Sequence, residues 1–100
     1  MANASITNFI SHDGSRHFLS LRQSIPSDAL VAAMKAMPDI AINKFIETIP
    51  ESWIDFDFRG HKFAINDQFG EYWFFVKDAA CQENILLSLR DRFATILPPH

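Results

Sequence analysis

A chain of 100 residues, 48% hydrophobic and 21% charged, can bury the core of one small domain spanning 1–100, which excludes a disordered tail. Its net charge of −3 argues against a nucleic-acid partner: positions 1–50 hold four basic and four acidic residues, positions 51–100 five and eight, with no basic cluster. One cysteine allows no internal disulfide and points to a reducing, cytoplasmic setting; the opening MANASITNF lacks the features of a secretion signal, and the longest apolar run, Ala29–Met34, is far short of the roughly 20 residues a membrane helix needs.

In chain order, Asn3-Ala4-Ser5 matches a glycosylation sequon, which carries no weight without a secretion signal. Residues 5–11 and 16–24 read as two strands around Asp13-Gly14, a favoured turn pair, although adjacent Phe18 and Leu19 interrupt the alternation. Ser27, after Pro26, is expected to cap a helix with Asp28 in its first turn, and Pro38 stops that helix at Met37. Asp39 is expected to cap a second helix. Ile42, Phe45, Ile46 and Ile49 follow the i, i+3, i+4, i+7 spacing of one buried face, with Asn43, Lys44, Glu47 and Thr48 on the other. A strand starting at Ile40-Ala41-Ile42 competes with it, and Pro50 ends the segment.

Residues 53–77 predict an antiparallel meander. With Arg59-Gly60 as a two-residue loop, Phe58 opposes His61, Phe56 opposes Phe63, Ile54 opposes Ile65, and Asp57 meets Lys62 as an opposite-charge pair. A four-residue loop at Asp67–Gly70 then sets Ile65 against Tyr72, Phe63 against Phe74 and His61 against Val76. This register sorts Ile54, Phe56, Phe58, His61, Phe63, Ile65, Tyr72, Phe74 and Val76 onto one face, a sorting that a one-residue slip would destroy. The other face is mixed: Trp53, Asp55, Asp57, Arg59, Lys62, Ala64, Asn66, Glu71, Trp73, Phe75 and Lys77.

Asp78 is expected to cap the last helix, whose stripe Cys81, Ile85, Leu89 and Phe93 rises at four-residue spacing beside Leu86, Ile96 and Leu97, and which Pro98-Pro99 closes. Together these elements predict an α+β fold: a predominantly antiparallel sheet, built from an N-terminal hairpin and the 53–77 meander, with two or three helices packed mainly on one face.

Candidate chemistry is sparse. His61 sits at a hairpin end, where a histidine at the rim of the core is the ordinary role and acid–base work the alternative. Asp55 and Asp57 share a strand face about 7 Å apart and could act as a carboxylate pair, but Lys62 and Arg59 stand near enough to neutralise them. His12 and His17 flank a turn with Asp13 and would supply three metal ligands, in a spacing that matches no specific motif. Cys81 continues an apolar stripe, the usual place of a buried thiol. No glycine-rich phosphate loop, nucleophile elbow, Cys-x-x-Cys or His-Glu-x-x-His occurs, so no cofactor is implied.

Aromatics on a mixed sheet face are a different signal, because such residues are enriched at protein contacts. Trp53, Trp73 and Phe75, with Asp55, Asp57 and Glu71 around them, are therefore the candidate partner-binding residues, suited to a basic patch on another protein or to a homodimer. The alternative is a small metal-binding or hydrolytic domain using His61 with Asp55 and Asp57, or the His12/His17 pair.

Overall fold

The computed structural model describes residues 5–48 and 51–97; Asn3, Ala4, Ile49, Pro50 and the Pro98-Pro99 terminator lie outside them. The elements run β1 (Phe9–Ile10), β2 (Arg16–Arg22), α1 (Ser27–Lys35), β3 (Ile40–Glu47), β4 (Ser52–Phe58), β5 (His61–Gln68), β6 (Glu71–Val76) and α2 (Glu83–Ala94). The strands form one six-stranded antiparallel sheet in the order β1-β2-β6-β5-β4-β3, and with two helices the fold is α+β. β3 to β6 are a continuous meander. The chain passes through α1 from β2 to the far edge at β3, so β2 pairs with β6, its distant neighbour in sequence.

The hairpin between β4 and β5 has the expected register, with Phe58 opposite His61 and Asp57 opposite Lys62. The next hairpin corrects the expected one: Phe63 pairs with Val76, Ile65 with Phe74 and Asp67 with Tyr72. Its loop is the two residues Phe69-Gly70, at φ 52 and 78, which repeat the 50 and 78 of Arg59-Gly60. Two successive positive-φ residues match the right-handed twist of the flanking strands, so the chain takes the tight turn over the four-residue loop. The shift is two residues, and an even shift leaves every side chain on its face.

The segment after Pro38 is a strand, not a helix. β3 pairs with β4 through Ile40 opposite Phe58, Ile42 opposite Phe56 and Phe45 opposite Ile54, with a register shift between Ile42 and Lys44. That bulge puts the inward residues Ile42 and Phe45 three apart, which imitates helical spacing. The β-branched and aromatic content of 40–47 favours the strand, and pairing with β4 decides it. A second bulge, between His17 and Leu19 of β2, accounts for the broken alternation there: it lets both Phe18 and Leu19 turn into the core.

Both helices cover the same sheet face. On α1, Leu30, Val31 and Met34 are buried, and on α2, Leu86, Leu89 and Phe93. Of the nine residues sorted inward by alternation, eight are buried and His61 is half-buried at the edge. Phe93 meets Phe74 edge-on, with centroids 4.8 Å apart, and Phe56 at 5.9 Å. Each such ring contributes about 1.5–3 kcal/mol by burial.

The caps predicted for the two helices that form are both displaced, and the one predicted at Asp39 precedes a strand. Pro26 occupies the cap of α1, and Ser27 lies inside it, its hydroxyl buried 2.6 Å from that of Ser52 and 3.4 Å from that of Tyr72. A buried hydroxyl needs a partner, and the inner face of β4 and β6 supplies two. α2 begins at Glu83; Asp78 instead closes the turn before it, accepting from the Ala80 N–H at 2.9 Å. Arg16 fastens the chain start to α2: its Nε donates to the Thr7 carbonyl at 2.9 Å, and its Nη2 lies 3.5 Å from Glu83 Oε1. No described helix is long and apolar enough to cross a membrane.

Candidate functional site

Covering one face leaves the other open. Strand alternation and register line up two rows of side chains on it. The first is Ser20, Trp73, Asn66, Trp53 and Ile46; the second is Phe9, His17, Phe75, Ala64, Asp55 and Lys44. Rings on neighbouring strands stand side by side and stack. Phe9 lies 6.3 Å from His17, and His17 lies 4.7 Å from Trp73 and 5.1 Å from Phe75.

Trp53 and Phe75 are two strands apart, on β4 and β6, yet their rings stack at 6.1 Å. Adjacent strands are separated by about 4.8 Å, so the indole must lean across β5. The residue beneath it is Ala64, paired with Phe75 and Asp55, and any larger side chain would hold the rings apart. The file runs from β1 to β4, and Ile46 opposite Trp53 extends it to β3.

The carboxylates around this file have definite partners. Trp53 Nε1 donates to Asp55 Oδ1 at 2.7 Å, and Trp73 Nε1 donates to Glu71 Oε1 at 3.1 Å. Each indole is thus held by an acid two residues away on its own strand, on the same face. Asp57 Oδ1 accepts from Asn43 at 3.0 Å and from Lys62 at 3.4 Å. Between the two tryptophans, Asn66 is buried; its Nδ2 donates to the Ser52 carbonyl at 2.9 Å and to Glu51 Oε2 at 3.3 Å, and its Oδ1 accepts from Gln68.

All six sequence-derived contact residues, Trp53, Trp73, Phe75, Asp55, Asp57 and Glu71, therefore share one face. Trp53 is 39% exposed, while Trp73 and Phe75 are half-buried. Sequence reasoning missed Phe9, His17 and Ile46 as members of this face, and placed Ala64 on it without a role. His17 is the hub of the file, and its membership depends on β2 pairing with β6, which no local pattern announces. Burial lowers the His17 pKa from its ordinary value, against the Leu19 carbonyl and Glu71, which raise it. Its Nε2 lies 3.2 Å from that carbonyl and 3.0 Å from the Ser20 hydroxyl, which hold the ring in the file.

The residues of the metal or acid–base alternative are dispersed. His61 opposes Phe58 on the helix-covered face, and the pleat directs Asp55 and Asp57 to the other. Asp13 accepts from both the Ser15 N–H and hydroxyl, which hold its pKa down, while His17 turns into the aromatic file. Among the described residues no group of three or more His, Cys, Asp or Glu is placed to hold a metal ion. Cys81 is buried ahead of α2, and burial pushes its thiol pKa up, away from the nucleophilic thiolate.

Comparison with known proteins finds no matching family, no matching curated protein and no matching solved structure, which leaves the geometry of this face to carry the functional reading.

Proposed function

We propose that this chain is a small non-enzymatic interaction module that binds a protein partner, or a second copy of itself, through the open face of its sheet. One observation supports the reading above others. An apolar strip from Phe9, 67% exposed, through His17, Phe75, Trp73 and Trp53 to Ile46, 42% exposed, crosses all six strands on the face that neither helix covers. Tryptophan and other aromatics held rigid before contact lose little entropy on binding, and this is the chemistry of interface anchors. Asp55, Asp57 and Glu71 each accept through one oxygen, and a basic patch on the partner would meet the other. The reading places the module in the cytoplasm, where the lone buried thiol of Cys81 stays reduced.

The test has two arms. Sedimentation velocity over a concentration series reports self-association, and a photoreactive residue in place of Ile46 reports partners in cells, against a control at Ala32 on α1. The reading expects adducts or dimers from the Ile46 position that Trp53→Ala and Trp73→Ala weaken together. It is sunk if both substitutions leave self-association and adduct yield unchanged.

A further inference from the structure

The open face is not level. Where Ala64 interrupts the row of large side chains, a hollow of about 920 Å³ opens, with Trp53, Trp73 and Phe75 toward one end, Lys62 and Lys77 toward the other, and Asp13 and Ser15 at its side. Its volume falls in the range of small-molecule sites, and its lining joins aromatic rings to charged and polar groups.

The lysine end is electrostatically unusual. With Phe63 opposite Val76, the register carried one residue further sets Lys62 against Lys77, whose N–H donates to the Lys62 carbonyl at 2.9 Å. Like charges directly opposite on neighbouring strands repel. Asp57, 3.4 Å from Lys62, offsets one of the two ammoniums, and Lys77 has no ion pair among the described residues. The carboxylates lining the hollow already have donors: Asp55 the Trp53 indole, and Asp13 the Ser15 N–H and hydroxyl at 3.0 and 2.7 Å. An anion between the two lysines would relieve the repulsion, and an aromatic ring attached to it would reach Phe75 and Trp53 above Ala64.

We propose that this hollow binds a small aromatic anion, a planar ring bearing a carboxylate or sulfonate, with the ring on the Phe75–Trp53 side and the charge between Lys62 and Lys77. The site goes beyond the partner reading and does not depend on it, since it requires neither self-association nor a second protein.

The probes are 2-naphthalenesulfonate, neutral 2-naphthol and cationic 2-naphthylmethylammonium, each titrated into the isotope-labelled chain and followed by amide chemical shifts and calorimetry. The sulfonate is expected to saturate at one site, with shifts centred on Ala64, Phe75 and Lys77, and to bind about fivefold more tightly than the neutral ring, the worth of one ion pair near a surface. Lys77→Gln should reduce the sulfonate to the affinity of the naphthol and leave the naphthol unchanged. Ala64→Leu, filling the floor, should abolish both; if circular dichroism shows that variant unfolded, Lys77→Gln decides alone. Non-saturable binding, equal affinity for all three charges, or indifference to Lys77→Gln would overturn the proposal.

Discussion

Both faces of this sheet carry aromatic rings, one set packed under a second layer of structure and the other packed only along the sheet. On the helix-covered face rings meet at many angles, 67° for Phe18–Phe63, 69° for Phe74–Phe93 and 15° for Phe56–Phe63. Along the file on the open face the pairs stand closer to parallel, 22° for His17–Trp73, 21° for Trp53–Phe75 and 33° for His17–Phe75. A ring between two layers has neighbours in every direction and takes both edge-to-face and offset-stacked pairings, the two that ring quadrupoles favour. Without a covering layer a ring has neighbours only along the sheet, and the strand spacing sets them in file. Burial by a second layer stabilises the fold, whereas lateral stacking holds side chains upright and leaves their edges available.

Four experiments break or sharpen that contrast. The largest effect is expected at the layer contact: Phe93→Ala empties the space between Phe56 and Phe74 and should cost about 3–5 kcal/mol in denaturant unfolding. A loss under about 1 kcal/mol would mean that α2 does not seal this face. Next is Tyr72→Phe, which removes a buried hydroxyl that donates to the Ile25 carbonyl at 2.7 Å and accepts from Gln23 at 3.3 Å. The expected cost is about 1–2 kcal/mol, and an unchanged denaturation midpoint would show that this network adds nothing.

On the open face, Trp53→Ala should cost only about 1 kcal/mol, the worth of one stacked pair and partial burial. If it destabilises as much as Phe93→Ala, the contrast between the faces is void. The smallest effect is a pH dependence. Burial lowers the His17 pKa below 6.5 in the folded chain, so the unfolded chain takes up the proton first. Stability should therefore fall as pH drops from 6.5 toward the folded-state value, and be unaffected by His17 above that window. In unfolding measured across this range, His17→Phe, which keeps a ring in the file, should lose less stability than the parent chain; equal losses would remove His17 as a source.

Particular residues show how much of this was legible in advance. Alternation alone placed Ile54, Phe56, Phe58, Phe63, Ile65, Tyr72, Phe74 and Val76 inward, and it did so even though the loop of the second hairpin is two residues shorter than expected. It also put Trp53, Trp73, Phe75, Asp55, Asp57 and Glu71 together on the opposite face, the core of the candidate site. It failed at Ile42 and Phe45, where the bulge gave a strand the spacing of a helix, and at Ser27, whose hydroxyl answers to Ser52 rather than to its own helix.

The sequence by itself determined which residues share a face, because the two-residue period of a strand and the positive φ that Arg59-Gly60 and Phe69-Gly70 adopt are local properties of the backbone. Only the tertiary structure decided that β2 closes on β6 and that His17 enters the aromatic file. Those outcomes depend on contacts between segments distant in the chain. Their free energy comes from burying apolar area jointly, a quantity that no single segment carries.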